Sequence, residues 1–190
     1  NGFCAAPPEP PAAPNGGERL VKGPAFGKHD KTAAYPASDW PVFRHDNSRS
    51  GTVPTAVAAE PRQAWKQDFG TKISRLVAAG GKLYASAVDR HTVFCLDAAT
   101  GEGIWSYRAG ARVDSPPTLY KGLALFGCAD GCVYALDAGS GQLAWRFRAA
   151  PGDRRIVSYG RVESAWPVPG SVLVEDGRLY CTAGRSLFLD

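Results

Sequence analysis

Few side chains in this sequence could do acid–base, nucleophilic or metal chemistry, and their spacing does not bring them together. His29, His45 and His91 are the only histidines. His45 adjoins Asp46, His91 lies far off and reads as a solvated turn residue, and no Gly-x-Ser-x-Gly run supplies a nucleophile elbow. Cys128 and Cys132 have a C-x3-C spacing, but Asp130-Gly131 between them reads as a two-residue hairpin turn. Cys128 would then oppose Val133, and the two thiols would point to opposite faces. No second Cys/His pair stands near to complete a tetrahedral zinc site. The five cysteines, an odd count at irregular spacing, make no disulfide framework. Cys95, Cys128 and Cys181 are expected to be buried small hydrophobes. Gly101-Glu102-Gly103 is a turn and not a phosphate loop, because no helix follows it. These residues assign no catalytic group and no metal ligand. What remains is recognition chemistry. Arg112 and Asp114, with Arg155, Tyr159, Glu163 and Trp166 further along, include the Arg, Tyr and Trp types enriched at interface hot spots. They are the expected contacts to an anionic or peptide-like partner.

Those residues need a scaffold, and composition narrows its class. With 44% apolar and 21% charged residues, the chain can build a core. Twenty-two glycines and 15 prolines argue for many turns and against a helical bundle. No run of 18 apolar residues exists, so no membrane-spanning helix is expected in this segment. The net charge of +4 is spread without a block of like charge, which reads as a solvated surface and not as a nucleic-acid footprint. Residues 1–38 carry seven prolines among Ala, Gly and Asn, and read as an extended or disordered linker. The opening Asn1-Gly2-Phe3-Cys4 is expected to belong to a processed or excised piece.

From residue 39 onward the texture is all-β: aromatic, β-branched and turn residues alternate at short intervals. Trp65, Trp105 and Trp145 recur every 40 residues, and the same shift carries Asp97 onto Asp137 and Gly101 onto Gly141. Gly81-Lys82-Leu83-Tyr84 recurs as Gly177-Arg178-Leu179-Tyr180, which leaves about 16 extra residues between Ala150 and Ser171. Four short antiparallel strands per ~40-residue period make a β-propeller blade, whereas a β-sandwich needs no such period. In the second unit the strands are expected over 116–120, 123–129, 132–137 and 142–148. Asp97 and Asp137 are placed to cap the following turn, Gly101 and Gly141 to supply positive φ there, and each Trp to pack on the neighbouring blade.

These residues carry a resemblance. Ala135, Asp137, Gly141 and Trp145 match the Ala-x-Asp-x-x-x-Gly-x-x-x-Trp docking motif of the PQQ-type repeat, and Cys95 replaces the Ala in the unit before. Such repeats build the propellers of quinoprotein dehydrogenases and of outer-membrane assembly lipoproteins. Trp40 to Gly51 resembles the Trp-Pro-x-Phe-Arg-x-Asp-x-x-Arg-Ser-Gly entry segment of non-enzymatic bacterial PQQ-like proteins. Within it, Arg44, Asp46 and Arg49 suggest a salt-linked motif that seats the first strand. The stretch 154–184 is similar to large PQQ-like proteins of planctomycete type, with Pro169 where those usually have His.

The resemblance implies a partial propeller: an entry segment and outer strand over 39–70, blades over 71–109 and 110–149, an insertion over 150–170, and an incomplete blade over 171–190. It implies a non-catalytic scaffold for protein or ligand interaction, within a longer chain that supplies the remaining blades. It also implies an extracytoplasmic location, in the periplasm or cell envelope. The alternative is a fragment of a quinone-dependent oxidoreductase. There, pyrroloquinoline quinone lies at the propeller axis with a calcium ion held by Glu, Asn and Asp. No such clustered set stands outside the turns of this sequence, so no cofactor is evident.

Overall fold

The computed structural model describes residues 18–158 and 160–185. Glycine-bearing turns break the chain into short strands. The middle strands Leu123–Gly127 and Cys132–Asp137 are buried on both faces, while an outer strand such as Gly103–Arg108 is largely exposed. The first four-stranded antiparallel sheet takes β2 (Val77–Ala79), β3 (Lys82–Ala87), β4 (Thr92–Asp97) and β5 (Gly103–Arg108) in sequential order. The second repeats it with β6 (Thr118–Tyr120), β7 (Leu123–Gly127), β8 (Cys132–Asp137) and β9 (Leu143–Arg148). A bulge falls at Cys95/Leu96 and again one period on, at Ala135/Leu136. A third unit begins with β12 (Leu173–Glu175) and β13 (Arg178–Tyr180). The architecture is all-β, with a 3₁₀ turn over Val88–Arg90 between β3 and β4. Among the described residues, no helix is long and apolar enough to cross a membrane.

The sheets pack face to face, and β8 shows how. Cys132, Tyr134 and Leu136 point into the core shared with the first sheet, where Val77, Tyr84 and Val93 meet Phe126. Val133 and Ala135 point the other way, toward Val168, Val172 and Val174. Each large side chain so buried contributes about 1.5–3 kcal/mol. A third cluster on the far side of the first sheet holds Phe94 and Leu96 under Trp65 and Phe69, with Phe69 stacked on Phe94 at 4.1 Å.

The repeated tryptophans join unit to unit. Trp65 Nε1 donates to Ala98 O at 3.0 Å, and Trp105 Nε1 donates to Ala138 O, one period on, at 3.1 Å. Each ring lies on a glycine. A Cβ on Gly101 would come within 2.6 Å of Trp65, and one on Gly141 within 2.6 Å of Trp105. Both glycines have positive φ, 76° and 72°. The turns are held by Asp97 Oδ1, which accepts from the amides of Ala99 and Thr100, and by Asp137 Oδ1, which accepts from Ser140 N. The third ring, Trp145, lines an apolar cavity of about 370 Å³ with Phe26, Phe147 and Leu179.

Five local expectations are corrected, the fifth in the entry segment below. The turn between β7 and β8 has three residues, because Gly131 takes φ 87° and Asp130 Oδ1 accepts from Cys132 N. Cys128 N therefore bonds Cys132 O, so the two cysteines face each other and lie in the same core cluster. Burial raises the Cys128 thiol well above its usual range and pushes Cys132 up to about 12. Second, Cys181 is exposed and not buried. Third, residues 20–22 of the proline-rich lead form a strand. β1 (Leu20–Lys22) pairs antiparallel with β9 and gives the second sheet a fifth, outermost strand. Residues 1–17 lie outside the described residues. Fourth, residues 64–69 join no ladder among the described residues; ring packing by Trp65 and Phe69 holds them.

The entry segment runs along the first strand of all three units. Trp40 exchanges backbone bonds with Ala78 of β2, Pro41 O accepts from Leu119 N of β6, and Asn47 Nδ2 donates to Val174 O of β12. It is not salt-linked as expected. Asp46 accepts from the amide and hydroxyl of Ser50, while Arg49 Nη1 donates to Phe43 O at 2.6 Å.

Two outcomes are expected. In urea unfolding of the full chain, Trp105→Ala should cost about 3 kcal/mol. Gly141→Ala should cost roughly 1–2 kcal/mol from backbone strain alone, with the ring clash in addition. Separately, the Ser50 hydroxyl and amide hold the Asp46 carboxyl down at about 2. A carboxyl depressed in the folded state stabilises it fully above about pH 4 and loses that contribution as pH falls through about 2. Asp46→Asn should remove this part of the acid dependence, read from unfolding curves across that range.

Candidate functional site

The loops that enter each first strand, and those between second and third strands, open on one side of the sheets. The extra residues between the second and third units lie on this side and form a β-hairpin. β10 (Arg155–Ser158) pairs antiparallel with β11 (Arg161–Ser164), with Ile156 opposite Glu163 and Val157 opposite Val162. Its base is tied to the β7–β8 turn: Ser164 N donates to Ala129 O, and Val168 N to Cys128 O.

Strand alternation gives the hairpin two faces. The inward one carries Ile156, Ser158, Arg161 and Glu163. Glu163 is 1% exposed and meets two arginines. Arg185 Nη2 lies 2.7 Å from its Oε2, and Arg112 Nη2 lies 3.4 Å from its Oε1. The first is an aligned hydrogen bond; Oε1 makes none. Arg185 also donates to Ser158 Oγ at 3.0 Å and to Ser164 O at 3.2 Å. Arg161 Nη1 reaches Asp89 Oδ1 in the first unit at 2.7 Å. The hairpin is thus pinned to loops from all three units. Arg112 further contacts Asp114, Nε to Oδ1 at 3.0 Å. Burial raises the Asp114 carboxyl above its usual range, and the Arg112 charge only partly opposes this.

The outward face carries Arg155, Val157 and Val162. Val157 is 75% exposed and Val162 is 62% exposed, directly across from one another. Arg155 is held by Asp153, Nε to Oδ1 at 2.9 Å.

Of the residues expected to contact a partner, the structure brings Arg112, Asp114 and Glu163 into one network. Arg155 stands on the opposite face of the hairpin. Trp166 is half-buried at its base, its amide donating to Ser164 Oγ at 3.1 Å. Tyr159 lies outside the described residues. Sequence reasoning missed Val157, Val162 and Arg185. The first two had a signal: they flank Tyr159-Gly160 symmetrically, as alternating strands flank a two-residue turn.

Among the described residues, no group of three or more His, Cys, Asp or Glu side chains could hold a metal ion. On this face Asp89, Asp114 and Glu163 are paired with arginines, and Asp130 is held by Cys132 N and the Tyr134 hydroxyl. The described residues therefore do not fit a calcium-bound quinone.

The family model for outer membrane protein assembly factor BamB, a PQQ-type repeat model, matches residues 49–185. A comparison with curated proteins finds no match. Among solved structures, the chain is similar to the quinohemoprotein alcohol dehydrogenase of Comamonas testosteroni. That match has 21% identity and a TM-score of 0.62, over 77% of this chain and 23% of that one. It is also similar to the quinohemoprotein alcohol dehydrogenase ADHIIG of Pseudomonas putida HK5. Here identity is 20% and the TM-score 0.62, over 86% of this chain and 25% of that one. The chain spans about a quarter of the length of these enzymes. At this identity the likeness shows a shared fold.

The pinning predicts a local effect. Glu163→Gln keeps the size but removes the charge that both arginines face. It should destabilise the hairpin by roughly 3 kcal/mol, the scale for breaking a buried ion pair. Amide hydrogen exchange should accelerate over 155–164 and stay slow in β7 and β8.

Proposed function

The chain belongs to the PQQ-type repeat family of the BamB assembly factor, and we propose that it is part of a non-catalytic propeller that serves as an interaction scaffold. The observation that carries this reading is the pinned hairpin. A buried Glu163, two arginines behind it and the Arg161–Asp89 pair hold it rigidly over the loop face, while its outward side presents Val157, Val162 and Arg155. Two apolar side chains left in water on an ordered strand pair are costly for an isolated surface and favourable in an interface. Ordering the hairpin beforehand lowers the entropy that binding must offset. The partner chemistry that suits it is a polypeptide with an apolar patch beside an acidic group for Arg155. The rest of the ring comes from further blades of the same polypeptide. An extracytoplasmic location, in the periplasm or envelope, accompanies the family membership.

The competing quinone-dependent oxidoreductase reading would need its donor set elsewhere, because the entry segment runs along the innermost strands described here.

A photo-crosslinking residue at position 157 of the full chain, expressed in its native host, is expected to capture a discrete polypeptide. Val157→Asp with Val162→Asp should abolish co-purification of that polypeptide. Retained co-purification in the double variant, or in Arg155→Ala combined with it, removes the hairpin from the interface. Saturable dye-linked alcohol oxidation after addition of quinone and calcium overturns the non-catalytic reading.

A further inference from the structure

A second cavity, distinct from the hairpin's outward face, opens where the first strands of the three units begin. Its volume is about 400 Å³, within the range of small-molecule sites. Its wall is built from repeat-equivalent positions. Arg75, Ser115 and Ser171 occupy the same place in successive units, separated by one period and then by one period plus the insertion. Two units put serine there, and only the first puts a cation. The entry segment contributes Phe43 and Arg49.

Both guanidiniums rest on the Phe43 ring, Arg49 Cζ at 5.4 Å and Arg75 Cζ at 5.5 Å from its centroid. Arg49 is oriented by its bond to Phe43 O. Among the described residues, neither arginine is within ion-pair range of a carboxylate. The one acid lining the cavity, Asp114, faces Arg112. Ser115 Oγ is committed to Gly170 O at 2.8 Å, which closes the wall between the second and third units. The cavity therefore gathers two guanidiniums that no carboxylate of the described residues pairs. A guanidinium presents paired N–H donors that match the spacing of phosphate or carboxylate oxygens.

We propose that this cavity is an oxyanion site, which takes the phosphate or carboxylate group of a small ligand between Arg49 and Arg75. The aromatic floor holds the two guanidiniums in place, so less side-chain freedom is lost when the anion binds. The site is independent of the hairpin interface and survives if that interface is wrong.

Calorimetric titration of the full chain with inorganic phosphate and, separately, with succinate tests it, at constant ionic strength set by chloride. Saturable one-site binding of either anion is expected. Phosphate alone would assign a phosphate ligand, and succinate alone a carboxylate ligand. Arg75→Ala, at an exposed position that leaves the fold intact, should weaken binding roughly tenfold. Arg75→Lys, which keeps the charge but loses the fork, should fall between. Lys121→Ala, a cation on the opposite side of the sheets, should change nothing. Absence of saturation with both anions overturns the site, as does equal affinity in Arg75→Ala and the unaltered chain.

Discussion

An indole laid flat on a glycine is the contact on which the rest of this structure depends. The ring approaches so closely that no Cβ fits, and the glycine takes a φ that other residues adopt only under strain. The same ring spends its N–H on a carbonyl of the neighbouring unit, so the apolar face and the polar edge are satisfied at one place. The 40-residue period is the distance along the chain between one such ring and the next. These contacts join each unit to the next along the chain, while the entry segment ties the first strands of all three units together.

That contact is why the fold was legible. Trp105 and Gly141 are residue types with few substitutes in their roles, and both recur at a fixed spacing, so the pattern survives without knowledge of the rest. The strands of the second unit follow from it closely. Features that arise from averaging or from turn chemistry were harder. Leu20-Val21-Lys22 is a short β-forming run inside a proline-rich lead, and the composition of the whole lead masks it. The β7–β8 turn looked like a two-residue loop because Asp-Gly is the signature of one. Asp130 instead spends its carboxylate on Cys132 N and the Tyr134 hydroxyl, which widens the loop by one residue and turns both cysteines into the same core.

The loop face was legible only in part, for a different reason. Residue types pointed to recognition chemistry, but direction within the hairpin depends on register. Arg155 and Glu163 look alike in a list of charged candidates. One faces solvent beside Asp153, and the other is buried against Arg185 and Arg112. Asp46 shows the same limit: an acid flanked by arginines in sequence suggested a salt-linked motif, yet its oxygens accept from the Ser50 amide and hydroxyl while Arg49 turns to Phe43 O.

The buried Glu163 also explains how an insertion can sit between two units without disturbing them. Removing a carboxylate from water is expensive and is rarely offset in full by two partly exposed arginines, so this network adds definition more than stability. What it defines is the angle at which the hairpin leaves and rejoins the sheets. On its far side the chain resumes the repeat: Thr118 Oγ1 meets Val172 O at 2.7 Å, and Val168 and Val172 fill the core against β7 and β8. The docking geometry of the units and the surface carried by the hairpin are therefore set by separate contacts. Residues on the outward face can change, and with them the partner, while Trp65 and Trp105 keep their glycines.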